Sequence, residues 1–216
     1  MTSMRGLYPI VDLDTLTARN IAPLEHAEAI LTARPQLLQL RAKHQRPREV
    51  LALLTALQPL CARNGTLLFA NDRPDLALLA RADGVHVGQD DLPLAEVRRL
   101  PGALRVGVST HDLAQLERAL AERPDYVALG PIFATQSKRG ADPPLGLETL
   151  KQGAALARAA GVPLVAIGGL ELEVGSELGA AGVLTAVISD LLADGGRFEA
   201  VAARSAAWQR ALLTSP

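Results

Sequence analysis

Cysteine is nearly missing from this chain: Cys61 is the only one among 216 residues. A single thiol excludes an internal disulfide and makes a reducing cytoplasm the expected setting. Cys61 sits in the helical run Val50, Leu53, Leu54, Leu57, Leu60, where it reads as a packed small hydrophobe rather than a catalytic thiol. Long apolar stretches are also missing. The apolar fraction is 49%, but it is spread in short runs, none of which could cross a bilayer. Residues 1–5 carry no charged-then-apolar signal segment. Charge of one sign is not in excess either, with Lys+Arg 22 against Asp+Glu 23 and a formal charge of -1. No basic face for nucleic acid and no acidic tail is expected, which leaves small molecules as partners. No linker or low-complexity stretch interrupts the chain, so residues 1–216 read as one domain.

What is present is alternation. Short apolar runs recur at Leu7–Val11, Leu37–Leu40, Thr66–Phe69, Gly84–Val87, Leu104–Val108, Asp125–Leu129, Val162–Ile167 and Gly182–Val187. Helix-period segments follow them, among them Ala22–Ala33, the series Leu113, Leu116, Leu120, and the series Phe198, Val201, Trp208. Strict βα alternation over this length predicts an α/β fold, a (β/α)8 TIM barrel in one compact domain. An open doubly wound sheet would concentrate its polar chemistry at one switch point, whereas here polar residues follow nearly every strand. The active site is therefore expected at the C-terminal ends of the strands. The longest irregular piece, Gly130–Leu147, would lie over that mouth.

Two neighbouring strands end in acids and amides: Asn71-Asp72 after the third, and Gln89-Asp90-Asp91 after the fourth. Such groups build a poor core. They suit Mg²⁺, which takes one or two carboxylates together with waters and phosphate oxygens. Each segment alone also fits a turn or a helix cap, so the metal reading rests on their joint occurrence. After the second strand, Gln39, Arg41 and Lys43 alternate to one side and bring an amide and two cations toward the mouth. A solvated strand exit is the plain alternative, but an inward arginine is costly without an anionic partner.

After the fifth strand, Ser109-Thr110-His111 offers a hydroxyl–imidazole pair without a Gly-x-Ser-x-Gly elbow. Ser109 is expected to hydrogen-bond or relay protons rather than attack. His111 reads equally as a helix cap or a substrate contact. The loop Thr135-Gln136-Ser137-Lys138-Arg139 combines hydroxyls and cations, the makings of a phosphate clamp or simply a solvated loop. Gly168-Gly169 and Ile188-Ser189 end the last two strands, where barrels often hold phosphate on backbone N–H groups. Two phosphorylated ligands are implied. Tyr8 and Trp208 default to core packing.

Six strings stand here in order: Gln-x-Arg-x-Lys from Gln39, Asn-Asp-Arg-x-Asp from Asn71, Gly-Val-His-x-Gly-Gln-x-Asp-Leu from Gly84, Gly-x-Ser-Thr-His from Gly107, Gly-Pro-x-Phe-x-Thr-x-Ser-Lys from Gly130, and Ala-Ile-Gly-Gly from Ala166. As a set spanning nearly the whole chain, they resemble the thiamine phosphate synthase family. Its members join a hydroxymethylpyrimidine pyrophosphate to a thiazole phosphate and release pyrophosphate. The resemblance implies that Asp72 and Asp91 hold Mg²⁺. It implies that Arg41, Lys43 and Lys138 neutralise the departing pyrophosphate, with Gln39 and Asn71 on the pyrimidine side. Thr135, Ser137, Gly169, Ile188 and Ser189 would hold the thiazole phosphate, and Ser109 would contact the pyrimidine amino group or the leaving group. Family members usually carry Glu where this chain has Ala42 and Thr where it has Ser137, and the segment Leu170–Ala181 lacks a customary Asn. Two other readings stand beside this one. Thiazole tautomerases share the barrel but lack counterparts of Asp91 and Lys138, and a non-catalytic phosphate-ligand sensor would lack catalytic groups. A homodimer is allowed by the sequence and not required by it.

Overall fold

Eight parallel strands close on themselves in chain order. They are β1 (Gly6–Asp12), β2 (Leu37–Arg41), β3 (Leu67–Asn71), β4 (Gly84–Val87), β5 (Arg105–Thr110), β6 (Tyr126–Leu129), β7 (Leu164–Ile167) and β8 (Leu184–Val187), with β8 pairing back onto β1. This computed structural model describes residues 4–135, 142–192 and 195–214. Helices α1 (Leu13–Ala18), α2 (Pro23–Leu31), α3 (Pro47–Asn64), α4 (Pro74–Leu79), α5 (Leu94–Arg98), α6 (Leu113–Ala121), α7 (Gly146–Ala160), α8 (Gly175–Ala181) and α9 (Phe198–Leu213) surround the strands. The expected barrel is therefore the observed fold, and all eight strands fall where the apolar runs lie.

Local chemistry explains most of the boundaries. Proline occupies the first turn of α2, α3 and α4, where its missing N–H costs nothing. Asp12 and Asp112 cap α1 and α6 by accepting from Thr15 N and Gln115 N. Capping of α6 thus falls to Asp112, not to Ser109 or Thr110, which lie inside β5. The helix at Leu94 takes no side-chain cap, so neither Asp90 nor Asp91 serves that purpose.

Alternation along each strand divides the core in two. One set faces the helices and forms the larger apolar cluster, which includes Leu38, Leu68, Val85, Val106 and Val127. The other fills the barrel interior with Tyr8, Ile10, Leu37, Phe69, Tyr126, Val165 and Leu184. Two glycines make room for the interior rings. A Cβ on Gly84 would lie 2.4 Å from the Phe69 ring, and one on Gly107 would lie 2.0 Å from the Tyr126 ring. Cys61 is 1% exposed, and burial pushes its thiol up to about 12, as suits a packing residue. Among the described residues no helix is long and apolar enough to cross a membrane.

Candidate active site

The strand C-termini open into a cavity of about 640 Å³. Its wall is lined by Gln39, Arg41, Lys43, Asn71, Asp72, Asp91, Ser109, Thr135, Gly169, Ile188 and Ser189, so these expected site residues converge on one space. Ser137 and Lys138 lie outside the described residues.

At the ends of β3 and β4 the two carboxylates meet. Burial raises the Asp72 carboxyl above its ordinary range, and Lys43 pulls it back by hydrogen bond and charge. Asp91 then raises it further through a shared hydrogen bond and like charge, which puts the two acids side by side. Lys43 Nζ donates to Asp72 Oδ2, and Gly88 N donates to Asp91 Oδ2 at 2.7 Å. Among the described residues no group of three His, Cys, Asp or Glu side chains is arranged to hold a metal. A pair of acids beside a lysine fits a cation that completes its shell with water and phosphate, not one caged wholly by protein. Mg²⁺ is such a cation, and the strained like-charge pair is a donor set it would relieve.

Arg41 has a partner that the sequence reading did not anticipate. Its Nη1 donates to Asp12 Oδ2, with Asp14 Oδ2 at 3.9 Å. Asp12 is 2% exposed and is fixed from the other side by Thr15 N at 2.8 Å and Thr15 Oγ1 at 2.7 Å. The chain thus supplies the anion itself, and an inward Arg41 does not by itself require an external one. Arg41 still lines the cavity, now as an oriented cation. His111 does not cap α6; it lines the cavity, and its Nδ1 bonds Gly130 O at 2.8 Å and so ties β5 to the start of the loop after β6.

Across the cavity, Gly168 and Gly169 carry φ of 98° and 63°. A Cβ on Gly169 would stand 2.3 Å from Ala134 O, so only glycine lets the β7 exit lie this close to the neighbouring loop. Ile188 and Ser189 border the same end, and a 3-10 turn begins at Ser189.

The floor holds groups that the sequence reading passed over. Gln39 Nε2 donates to Tyr8 Oη at 2.9 Å, the Tyr8 and Tyr126 hydroxyls lie 2.7 Å apart, and His86 Nδ1 lies 2.8 Å from Tyr126 Oη. His86 Nε2 in turn lies 2.8 Å from Ser109 Oγ. Tyr8 thus does more than pack. His86 stood inside the Gly-Val-His string, but nothing local distinguishes it from a core histidine. A serine bonded to an imidazole resembles a hydrolytic pair, yet Nδ1 meets a phenol here rather than a carboxylate. Burial also lowers His86 to about 4, so the ring is neutral. Ser109 as a hydrogen-bonding group is the arrangement observed.

The sequence model of the thiamine monophosphate synthase family matches residues 7–191. The chain belongs to this family. It is 41% identical over 200 residues to the thiamine-phosphate synthase of Anaeromyxobacter dehalogenans, covering 92% of this chain and 85% of that one. To the thiamine-phosphate synthase of Chloroflexus aurantiacus it is 40% identical over 164 residues, covering 76% of this chain and 74% of the other. Among solved structures, a thiamine phosphate pyrophosphorylase from Pyrococcus furiosus superposes with a TM-score of 0.83 at 27% identity, covering 97% of this chain and 96% of that one. The family match runs from β1 through the turn after β8, so it spans every strand that contributes to the cavity.

Proposed function

We infer that this chain is a thiamine phosphate synthase, a transferase that joins a hydroxymethylpyrimidine pyrophosphate to a thiazole phosphate and releases pyrophosphate. The observation that carries the reading is one cavity with two unlike ends. One end presents paired acids and cations (Asp72, Asp91, Lys43 and Arg41). The other presents close backbone and a hydroxyl, at Gly168-Gly169 and Ile188-Ser189. A diphosphate with a divalent cation suits the first end, and a monophosphate suits the second.

Bound between Asp72 and Asp91, Mg²⁺ would supply positive charge to the diphosphate oxygens. The chain's own residues would do the rest. Lys43 and Arg41 offset negative charge growing on the leaving group. The Asn71 Nδ2 group, buried with no partner among the described residues, is a donor held ready for the pyrimidine. A dissociative substitution needs no protein nucleophile, which agrees with the neutral, phenol-bonded His86 behind Ser109. Thr135, Ser137, Gly169, Ile188 and Ser189 are the groups we assign to the thiazole phosphate, and Lys138 to the pyrophosphate. The single buried thiol suits a reducing cytoplasm.

The test is to incubate the protein with both phosphorylated substrates and Mg²⁺ and to measure thiamine phosphate. Product should form, vanish with chelator, and fall by on the order of 10²–10³-fold in Asp91→Ala, the cost of one lost electrostatic contact. Metal-independent turnover of the thiazole tautomer alone, without coupling, would overturn the reading.

A further inference from the structure

The chain of contacts beneath the cavity has a direction, and that direction can be worked out by counting hydrogens. Gln39 reaches Tyr8 Oη through Nε2, so Tyr8 accepts there. Tyr8 is 1% exposed, and among the described residues its hydroxyl meets only Gln39 and Tyr126. Its one hydrogen therefore goes to Tyr126 Oη; any other arrangement strands a buried O–H without an acceptor. Tyr126 is fully buried as well and, having accepted from Tyr8, passes its hydrogen to His86 Nδ1. A neutral imidazole that accepts at Nδ1 carries its proton on Nε2. Nε2–H then donates to Ser109 Oγ, which leaves the serine hydrogen unspent among the described residues. Ser109 lines the cavity, so that hydrogen points to a ligand.

We propose that Tyr8, Tyr126 and His86 are positioning residues that form a one-way hydrogen-bond relay from Gln39 to Ser109, committing the Ser109 hydroxyl as a donor to an acceptor atom on the substrate. Under the synthase reading, on which this rests, the acceptor is a ring nitrogen of the pyrimidine or an oxygen of the departing diphosphate, and the pyrimidine amino group is not the recipient. Gln39 Nε2 has two hydrogens, one given to Tyr8 and the other directed at Tyr126, which leaves the amide oxygen as the group that this residue offers to the cavity. The two ends are coupled: an acceptor at Gln39 requires a donor at Ser109. Interior packing keeps the relay rigid. Tyr126 stacks on His86 with ring centroids 5.6 Å apart and an interplanar angle of 12°, and Tyr8 meets Tyr126 edge-on at 5.6 Å and 83°. Burial also holds both phenols well above their ordinary range, so they remain neutral donors at working pH.

The decisive measurement uses the ¹⁵N-labelled wild-type protein without substrate. Long-range ¹H–¹⁵N correlation reads the tautomer of each histidine, and His86 is assigned by its loss in His86→Gln. The relay requires His86 to carry its proton on Nε2 alone. A proton on Nδ1, or a mixture of tautomers, overturns it. This readout does not depend on turnover, so it stands or falls separately from the synthase assay. Kinetics then read the positioning role. Tyr126→Phe, with Tyr8→Phe as the second variant, should lose roughly ten- to a hundredfold in kcat, the usual cost of losing an orienting partner, with KM for thiazole phosphate unchanged. His86→Gln, which can still donate to Ser109 from the ε position, should keep clearly more kcat than His86→Leu. Wild-type kcat in Tyr126→Phe and in His86→Leu would overturn the role.

Discussion

Asp72 has a φ of 61°, a left-handed backbone that costs any residue with a Cβ. The surroundings impose it: Arg73 N bonds Asn71 O at 2.8 Å across Asp72, and Asp72 N bonds His86 O at 2.8 Å. The result is a tight turn that aims the carboxylate toward Asp91 and Lys43 rather than along the strand. Strain at a position that also brings like charges together is a mark of function over stability. Two variants separate the contributions. Asp72→Gly removes both the carboxylate and the backbone strain, whereas Asp72→Ala removes only the carboxylate. Both should abolish coupling activity, but Asp72→Gly should be the more stable by about 1 kcal/mol, read from urea midpoints at equal m-value. Equal stability of the two would show that the turn is not strained.

At the scale of elements, the Ile188–Ser189 end of the cavity, which we assign to the monophosphate, depends on α9. Asp190 directly follows Ser189 and is 8% exposed. It accepts from Arg204 Nε at 3.0 Å, Arg204 Nη2 at 2.6 Å and Trp208 Nε1 at 2.6 Å, all on α9. This clamp pins the turn after β8 to α9. Removing the arginine would leave a buried carboxylate short of partners, so Arg204→Ala should destabilise by about 3–5 kcal/mol. Trp208→Phe loses one bond to a charged acceptor, about 1.5–3 kcal/mol, and adds a cavity cost because the smaller ring leaves space at a fully buried site. Both should raise KM for thiazole phosphate more than KM for the pyrimidine substrate, and equal effects on the two would detach the clamp from the pocket.

Such long-range pairs mark the limit of what the chain reveals unaided. Strand identity was legible because alternation and apolar runs are local, and the strand ends followed once the barrel was inferred. Asp72, Asp91, Gln39 and Ser109 were legible as cavity-lining positions because polar residues at several strand exits of one barrel share its C-terminal face, although each segment alone also fits a turn or a solvated exit. Partners were not. Trp208 and Asp190 are separated by a turn whose path only the fold determines, Tyr8 meets Tyr126 across the barrel, and Asp12 neutralises Arg41 from the adjacent strand. His86 and Tyr126 carry ordinary core-like sequence contexts, and their polarity shows only when the interior is assembled.

For the whole molecule, the barrel's burial of neutral imidazoles sets its response to acid. His26 on α2 is 3% exposed, with Nδ1 unpartnered among the described residues, and burial lowers it to about 4. His86 is lowered to about 4 by burial too. The sign follows from proton counting. Between about pH 6.5 and 4 the unfolded chain protonates these rings and the folded barrel does not, so the unfolded state binds more protons and stability falls as pH falls. Above pH 6.5 neither state binds them, and the full stability is present. For His26 alone the loss approaches about 3 kcal/mol by pH 4. His26→Leu removes that contribution without touching the cavity, so its stability curve between pH 6.5 and 5 should be flatter than wild type by up to about 1.4 kcal/mol per pH unit, the slope of one proton. Chemical denaturation at half-unit pH steps reads the difference directly. Parallel curves for the two proteins would mean that His26 takes up its proton as readily inside the fold as in the unfolded chain, and the acid sensitivity would have to come from other groups.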